Sequence, residues 1–222
     1  MTQFRPKYIT FDCYGTLTFF EIGDVTRKMF QDRLDVERMD RFLEDFTAYR
    51  RDEVLGDWKP YDQVIKSSLR RTCERWNLEY VDAEGQALYD DVPNWGPHAD
   101  VPGPLAQVAE HYPLVILSNA SNSQIQSNVD KLGAPFHAVF TAEQAQAYKP
   151  RYQAFEYMFD QLNCGPSDIL HVSASLRYDL IPAYDLRVEH KVYVNRGYEP
   201  TTPAYGYHEM SDLSGLPSVV GL

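Results

Sequence analysis

The sequence of 222 residues is poor in cysteine and shows no pairing pattern. Its three cysteines, Cys13, Cys73 and Cys164, are widely spaced, and none forms a Cys-x-x-Cys pair. An odd count at this spacing argues against a disulfide framework and against a structural zinc site. We therefore expect a reducing compartment, the cytoplasm.

Long apolar runs and positive charge are also scarce. No stretch approaches the roughly 20 apolar residues of a transmembrane helix, and the start, MTQFRPKYITFD, lacks the apolar segment of a secretory leader. Lysine and arginine number 21 against 32 acidic residues, a net charge of −11. An acidic surface argues against nucleic acid or an anionic membrane as partner. A small anionic substrate still fits wherever basic residues gather locally.

The apolar pattern predicts an α/β protein with a Rossmann-like parallel sheet core. KYITF near the start is a predicted buried strand, and PLVILSN, FHAVFTAE, DILHVSAS and KVYVNR are four more, separated by helical segments. Alternating strands and helices imply a parallel sheet covered on both faces. Residues 21–95 are helical in pattern, so we predict an inserted helical cap domain within a core of residues 1–20 and 96–222. The Pro- and Tyr-rich tail from Tyr198 is predicted to wrap the surface.

Polar residues follow the predicted strands where a parallel sheet binds ligands. Asp12 ends the first strand, Ser118 and Asn119 end the second, Lys149 precedes a later helix, and Asp179 follows the strand DILHVSAS. Taken singly, such residues are most often turn, capping or surface residues. Because the carboxyl ends of parallel strands meet at one edge, the ordered set favours a functional site.

The segments FDCYGTL, LSNAS, YKP and SLRYD together resemble the four ordered motifs of the haloacid dehalogenase superfamily. In that superfamily, magnesium-dependent phosphatases carry an acid two residues after the nucleophile, where it protonates a leaving alkoxide. This chain has Tyr14 there, and its Asp-x-Tyr-Gly-Thr pattern resembles the L-2-haloacid dehalogenases. A halide leaves as a stable anion and needs no such proton.

The resemblance implies hydrolysis of L-2-haloacids to D-2-hydroxyacids through an aspartyl ester, with no metal or other cofactor. The implied partner is a small halogenated carboxylic acid, and relatives are often homodimers. The implied catalytic residues are Asp12 as nucleophile, Lys149 and Asp179 for the water, and Thr16 and Ser175 as orienting hydroxyls. The implied substrate-binding residues are Cys13 and Tyr14 through their backbone, Ser118, Asn119 and Arg50.

Arg50 is the expected halide ligand, because relatives place an arginine after an aromatic residue in the early cap helix. The segment AYRRDE offers Arg50 directly after Tyr49, with Arg51 as the adjacent candidate. In the ordinary alternative, both arginines pair with Asp52 or Glu53 on an exposed helix face.

The chain also departs from the dehalogenase pattern. Phe155 stands where a tyrosine is usual after the motif-three lysine, and SASLRYD lacks the usual asparagine and has Tyr178 where tryptophan is usual. His171, inside a predicted strand, is interpreted as structural. Two alternatives therefore stay open: a magnesium-dependent phosphatase of the same superfamily, and a non-catalytic homologue that binds a small acid.

Overall fold

The computed structural model describes residues 4–222 of a chain that divides into two units. The helical unit is Phe20–Trp95, close to the predicted segment 21–95, and the core unit is made of the chain up to Phe19 together with Gly96–Leu222. Among the described residues, no helix is both long and apolar enough to cross a bilayer.

The helical unit consists of four α-helices that bury apolar stripes at helical spacing. The second helix, Val36–Leu55, begins after Asp35. The Asp35 side chain accepts a hydrogen bond from the amide of Arg38 and so caps the first turn of this helix. The helix buries Phe42 and Phe46 on one face, four residues apart as the sequence pattern predicts. The helices are α1 (Ile22–Phe30), α2 (Val36–Leu55), α3 (Tyr61–Arg75) and α4 (Asp82–Asp91).

The core unit contains a six-stranded sheet within residues 4–222, in the order β3-β2-β1-β4-β5-β6 and parallel throughout. This confirms the predicted Rossmann-like parallel sheet. The strands are β1 (Tyr8–Phe11), β2 (Leu114–Ser118), β3 (Ala138–Thr141), β4 (Ile169–Ser173), β5 (His190–Val194) and β6 (His208–Met210).

Helices cover both faces of this sheet, so the central strands are apolar on both sides. In β2, Ile116 lies in one buried cluster while Val115 and Leu117 lie in the other, as the two-residue period of a strand requires. The helices are α5 (Pro102–Ala109), α6 (Asn122–Val129), α7 (Ala142–Ala145), α8 (Tyr152–Leu162), α9 (Ile181–Asp185) and α10 (Leu216–Val219).

The tail does more than the sequence predicted. Instead of only wrapping the surface, it adds β6 alongside β5 and buries Met210, Leu213 and Leu216 in the same cluster as the central strands. The strand has three residues, and two of them are exposed. Its pattern is therefore too short and too polar to be recognised as a strand from sequence.

Candidate active site

The fold brings two carboxylates to the point where the strand order reverses. Asp12 follows β1, and Asp179 lies in a π-helical turn, Leu176–Leu180, beyond the end of β4. Since β1 and β4 are hydrogen-bonded neighbours from which the chain runs outward in opposite directions, their carboxyl ends form the crevice where such sheets bind ligands.

A tight turn after β1 fixes the Asp12 side chain. The carbonyl of Cys13 accepts the amides of Thr16, Leu17 and Thr18, and Gly15 supplies the positive φ of 89° that the turn needs. Thr16 Oγ1 donates to Asp12 Oδ2 at 2.7 Å and accepts from the amide of Ala174 at 2.8 Å. The threonine hydroxyl therefore ties Asp12 to the end of β4.

Lys149 joins the two carboxylates. Its ammonium donates to Asp12 Oδ1 at 2.8 Å, to Asp179 Oδ1 at 2.7 Å and to the carbonyl of Leu117 at 2.7 Å. All three N–H groups are thereby used, on a side chain that is 1% exposed. A buried ammonium needs such partners, because an unpaired charge in the interior is costly.

These contacts set the charge state of the cluster. Burial raises the pKa of Asp12 above its ordinary value, with the Lys149 ammonium opposing the rise. Burial alone would also raise the pKa of Asp179, but Lys149 and a hydrogen bond from His171 outweigh it, and the pKa is lowered. For Lys149, burial is outweighed by the two carboxylates, which raise its pKa. The arrangement thus favours a charged Lys149 between ionised carboxylates, with Asp12 the easier of the two to protonate.

Cys13 is packed away from this cluster, and its thiol is not activated. Its side chain is fully buried, with Sγ 3.7 Å from Thr18 Oγ1. Burial raises the pKa of the thiol to about 12, so the nucleophilic thiolate is scarce at neutral pH.

Ser118 and Asn119, at the end of β2, have different hydrogen-bonding environments. The Asn119 side-chain amide donates to the Lys149 carbonyl at 2.9 Å, and its oxygen accepts from the Lys149 amide at 2.7 Å. Asn119 thus holds the Lys149 backbone, a task that the sequence did not indicate. Ser118 Oγ is buried and has no hydrogen-bond partner among the described residues. Helix α6 begins at Asn122, with Ser121 as its cap, so Asn119 lies before the helix and not at its start.

Ser175 caps the turn that carries Asp179. Its hydroxyl accepts from the amide of Tyr178 at 3.1 Å and donates to Glu199 Oε1 at 3.2 Å. Glu199 Oε2 also accepts the amides of Leu176 and Arg177. The structure therefore places Ser175 against the backbone of the turn and against Glu199 rather than directly on Asp12 or Asp179. Glu199 was missed from sequence, because only the folded tail brings it to this turn.

Tyr14 occupies the position at which the resemblance to the haloacid dehalogenase superfamily places the acid of the phosphatases. Its hydroxyl donates to Asn128 Oδ1 in α6 at 2.9 Å. The side chain is partly buried and packs against the main apolar cluster of the core unit. Among the described residues, no group of three or more His, Cys, Asp or Glu side chains is arranged to hold a metal ion.

Arg50 lies in α2 of the helical unit with an unusual environment. Its guanidinium lies 4.9 Å from the ring centre of Phe20 and 5.1 Å from that of Phe46, and it donates to Thr47 Oγ1 at 3.1 Å. Burial raises the pKa of the nearby Tyr61 hydroxyl, and the charge of Arg50 opposes the rise. The Nε of Arg50 is buried without a hydrogen-bond partner among residues 4–222. The alternative was that Arg50 pairs with Asp52 or Glu53 on an exposed helix face. In the structure, Arg71 forms the ion pairs with Asp52 and Glu53 instead.

Comparison with known proteins identifies the family. The model of the haloacid dehalogenase-like hydrolases matches residues 6–183, more than half of the chain, and the chain belongs to that family. Similarity also extends to a particular branch. The chain is 27% identical, over 75% of each sequence, to (S)-2-haloacid dehalogenase 2 of Pseudomonas sp. (strain CBS-3). The family and the branch resemblance predicted from the four motifs are thereby confirmed.

Solved structures share the fold at lower identity. An L-2-haloacid dehalogenase from Xanthobacter autotrophicus with chloropropionic acid covalently bound has a TM-score of 0.78 and 18% identity, over 97% of this chain and 98% of that one. A Bacillus subtilis protein described as a HAD-hydrolase, YfnB, bound to magnesium, has a TM-score of 0.83 and 16% identity, over 99% and 100%. Since both likenesses are this distant, they show the fold alone and do not choose between dehalogenase and phosphatase chemistry.

Proposed function

We propose that this protein hydrolyses the carbon–halogen bond of L-2-haloacids to give D-2-hydroxyacids, without a metal ion. The observation that carries the proposal is the buried group of Asp12, Lys149 and Asp179, combined with Tyr14 at the position where a phosphatase needs an acid. In this proposal Asp12 is the nucleophile, Asp179 is the second carboxylate, and Tyr14 replaces the acid that would protonate a leaving alkoxide. That combination suits a leaving group that departs as a stable anion.

In the first half-reaction, a carboxylate oxygen of Asp12 attacks the halogen-bearing carbon from the side opposite the halogen. A carbon–oxygen bond forms, the carbon–halogen bond breaks, and the halide leaves with the bonding electrons. Thr16 and Lys149 hold the carboxylate in place, which lowers the entropic cost of reaching the reactive geometry.

In the second half-reaction, water attacks the carboxyl carbon of Asp12 and gives a proton to Asp179. The bond between that carboxyl carbon and the ester oxygen breaks, and the product alkoxide takes the proton. The substrate carbon is inverted once only, so an L-haloacid yields a D-hydroxyacid. Lys149 stabilises the negative charge that develops near Asp12 during both steps.

The substrate carboxylate is assigned to Ser118 and to the backbone at Cys13 and Tyr14. Ser118 Oγ is a buried hydroxyl without a partner among residues 4–222, so a carboxylate oxygen that accepts its proton removes an unsatisfied polar group. Asn119 contributes indirectly, because its side chain holds the backbone of Lys149 at this edge of the sheet.

Arg50 is the proposed halide ligand of the helical unit, and it can be tested against its neighbour Arg51. The unpartnered Nε and the aromatic surroundings of Arg50 suit a weakly hydrated anion. We expect Arg50→Gln to lower kcat/KM for 2-chloropropionate by roughly 10²-fold, as loss of a charge-stabilising donor does. Arg51→Gln is the matched control and is expected to retain kcat/KM within about twofold, since substitutions away from such a feature have small effects. Equal losses in both variants, measured by steady-state halide release, would contradict the assignment.

The function as a whole is tested with the two enantiomers of 2-chloropropionate. Chloride release is measured with and without EDTA, and the configuration of the 2-hydroxyacid is determined by chiral chromatography. We expect release from the L-form only, D-lactate as product, and no effect of EDTA. A requirement for magnesium in chloride release would contradict this proposal. Magnesium-dependent hydrolysis of phosphate esters, with no chloride release, would favour the phosphatase alternative.

The proposal extends to the compartment and the assembly. All three cysteines are free thiols, which suits a reducing cytoplasm. A homodimer stays a prediction from the resemblance to dehalogenases, and sedimentation velocity of the full chain decides it.

A further inference from the structure

His171 is a polar residue at an apolar position in the middle of β4. It is fully buried, and its neighbours along the strand, Leu170 and Val172, lie in the apolar core. Its ring packs edge-on against Phe155, with ring centres 5.4 Å apart. The parallel register of β1 and β4 places it opposite Thr10. A buried imidazole at such a position needs partners for both ring nitrogens.

Both nitrogens have such partners. Nδ1 lies 2.8 Å from Thr10 Oγ1, and Nε2 lies 3.1 Å from Asp179 Oδ1. The Thr10 hydroxyl has one proton and two acceptors within reach, Nδ1 at 2.8 Å and the Leu170 carbonyl at 3.4 Å. Asp179 Oδ1 can only accept from Nε2 while the carboxylate is ionised, which leaves Nδ1 as the acceptor of the Thr10 proton. The ring proton then lies on Nε2 and points at the Asp179 carboxylate.

The two carboxylate oxygens of Asp179 therefore differ in their hydrogen bonding. Oδ1 accepts from Lys149 at 2.7 Å and from His171 at 3.1 Å. Oδ2 is buried and has no hydrogen-bond partner among the described residues. The oxygen with open lone pairs is therefore Oδ2, and its direction is set by the two donors that hold Oδ1.

We infer that His171, oriented by Thr10, is a positioning residue that holds Asp179 so that Oδ2 takes the proton of the hydrolytic water. The inference rests on the proposed function, because it concerns the second half-reaction of that chemistry. In that step the water oxygen bonds to the carboxyl carbon of Asp12, its proton passes to Oδ2, and the ester bond breaks. The first half-reaction uses Asp12 and does not depend on the direction of Oδ2.

The test separates the two half-reactions by rapid quench of L-2-chloropropionate with enzyme in stoichiometric amount. We expect His171→Leu to release one chloride per chain at the wild-type rate and then to turn over about 10²-fold more slowly, the cost of a misplaced catalytic group. The ester accumulates and is seen as a mass increase on the peptide that contains Asp12.

Two further variants and a control separate positioning from packing. His171→Gln can place an amide N–H near the position of Nε2, and it is expected to keep turnover within about tenfold, whereas Leu offers no donor. Thr10→Val removes the group that sets the ring proton and is expected to lie between the two. His111→Gln, at an exposed turn, is the control for loss of a histidine. If His171→Leu fails to fold by circular dichroism, the Gln and Val variants carry the test.

Equal slowing of both phases in His171→Leu, or a Gln variant as slow as Leu, would overturn the inference in favour of a packing role. Failure of the proposed function is seen separately, because the wild type would then release no chloride and form no ester. In that case ¹⁵N-histidine NMR of the wild type still tests the geometry. A proton on Nε2 of His171 supports the positioning contact, and a proton on Nδ1 alone refutes it.

Discussion

Replacement of Asp12 by asparagine is expected to abolish halide release, with a loss of at least about 10⁴-fold in kcat, as for other nucleophiles. The amide is nearly the same size as the carboxylate, and its oxygen can still accept the hydrogen bond from Thr16. It carries no negative charge, however, and is a poor nucleophile towards carbon. The loss of activity therefore follows from the missing nucleophile, and folding is checked separately because Lys149 also loses its ion pair with Asp12.

The measurement is chloride release from L-2-chloropropionate with a companion isotope experiment on the wild type. A single turnover in H₂¹⁸O is expected to leave ¹⁸O on Asp12 and unlabelled oxygen in the hydroxyacid, because water attacks the Asp12 carboxyl carbon. Circular dichroism checks that the variant folds, and mass spectrometry excludes its reversion to aspartate by deamidation. Label in the product hydroxyl after one turnover would mean direct attack of water on the substrate.

The proximity of Asp12, Lys149 and Asp179 could be predicted from sequence because it follows from strand order. In a parallel sheet, whatever follows each strand meets at one edge, and Asp12 and Asp179 follow two adjacent strands. Their contacts with Lys149 need only that its loop lie at the same edge, as the predicted alternation of strands and helices implied. Local pattern was sufficient here, since each residue reaches the site by its position at the end of an element.

The choice of hydrogen-bond partners could not be predicted in this way. Asn119 and Ser175 were expected to act on the substrate or the carboxylates, yet their side chains hold the Lys149 backbone and the turn before Asp179. A short polar side chain satisfies whichever backbone group lies nearest, and that depends on loops distant in sequence. Glu199 is 24 residues from Ser175 along the chain. No local pattern connects the two.

His171 carries a signal that can be recognised in the sequence. A histidine within a strand of otherwise buried apolar residues must have partners for two ring nitrogens, and the strand next to it offers Thr10. The second partner, Asp179, lies eight residues further along the chain, beyond the end of the same strand. The structural interpretation holds for packing against Phe155 but leaves out the contact with Asp179.

Lys149→Met is expected to reduce kcat at neutral pH by at least about 10³-fold, a loss of roughly 4 kcal/mol of transition-state stabilisation. The ammonium lowers the pKa of Asp12, while burial and the charge of Asp179 raise it. Without the ammonium, burial and the Asp179 charge are opposed only by the hydrogen bond from Thr16, so the pKa of Asp12 rises and Asp12 is protonated over a wider range. The residual activity should therefore move to higher pH, as a pH profile of kcat/KM for L-2-chloropropionate would show.

The same substitution should destabilise the fold in a pH-dependent way. Breaking a buried ion pair costs about 3–5 kcal/mol, and here two buried carboxylates lose their shared partner. With its folded-state pKa raised, Asp12 binds more protons in the folded than in the unfolded chain between the ordinary carboxyl pKa and the raised one. The variant should therefore lose stability as pH rises through that window and recover it as pH falls, measured by urea unfolding at several pH values.

Lys191→Met is the matched control for both measurements. Lys191 is also a buried lysine, but its ammonium donates to the carbonyl of Val188 and burial lowers its pKa. No salt bridge within residues 4–222 involves Lys191, so we expect Lys191→Met to keep kcat within about threefold of wild type and to change stability little, as for substitutions outside charged networks. If both variants lost the same activity, the loss would be explained by removal of any buried lysine. If only Lys149→Met lost activity and its pH profile moved to higher pH, the loss would be explained by the ammonium that Asp12 and Asp179 share.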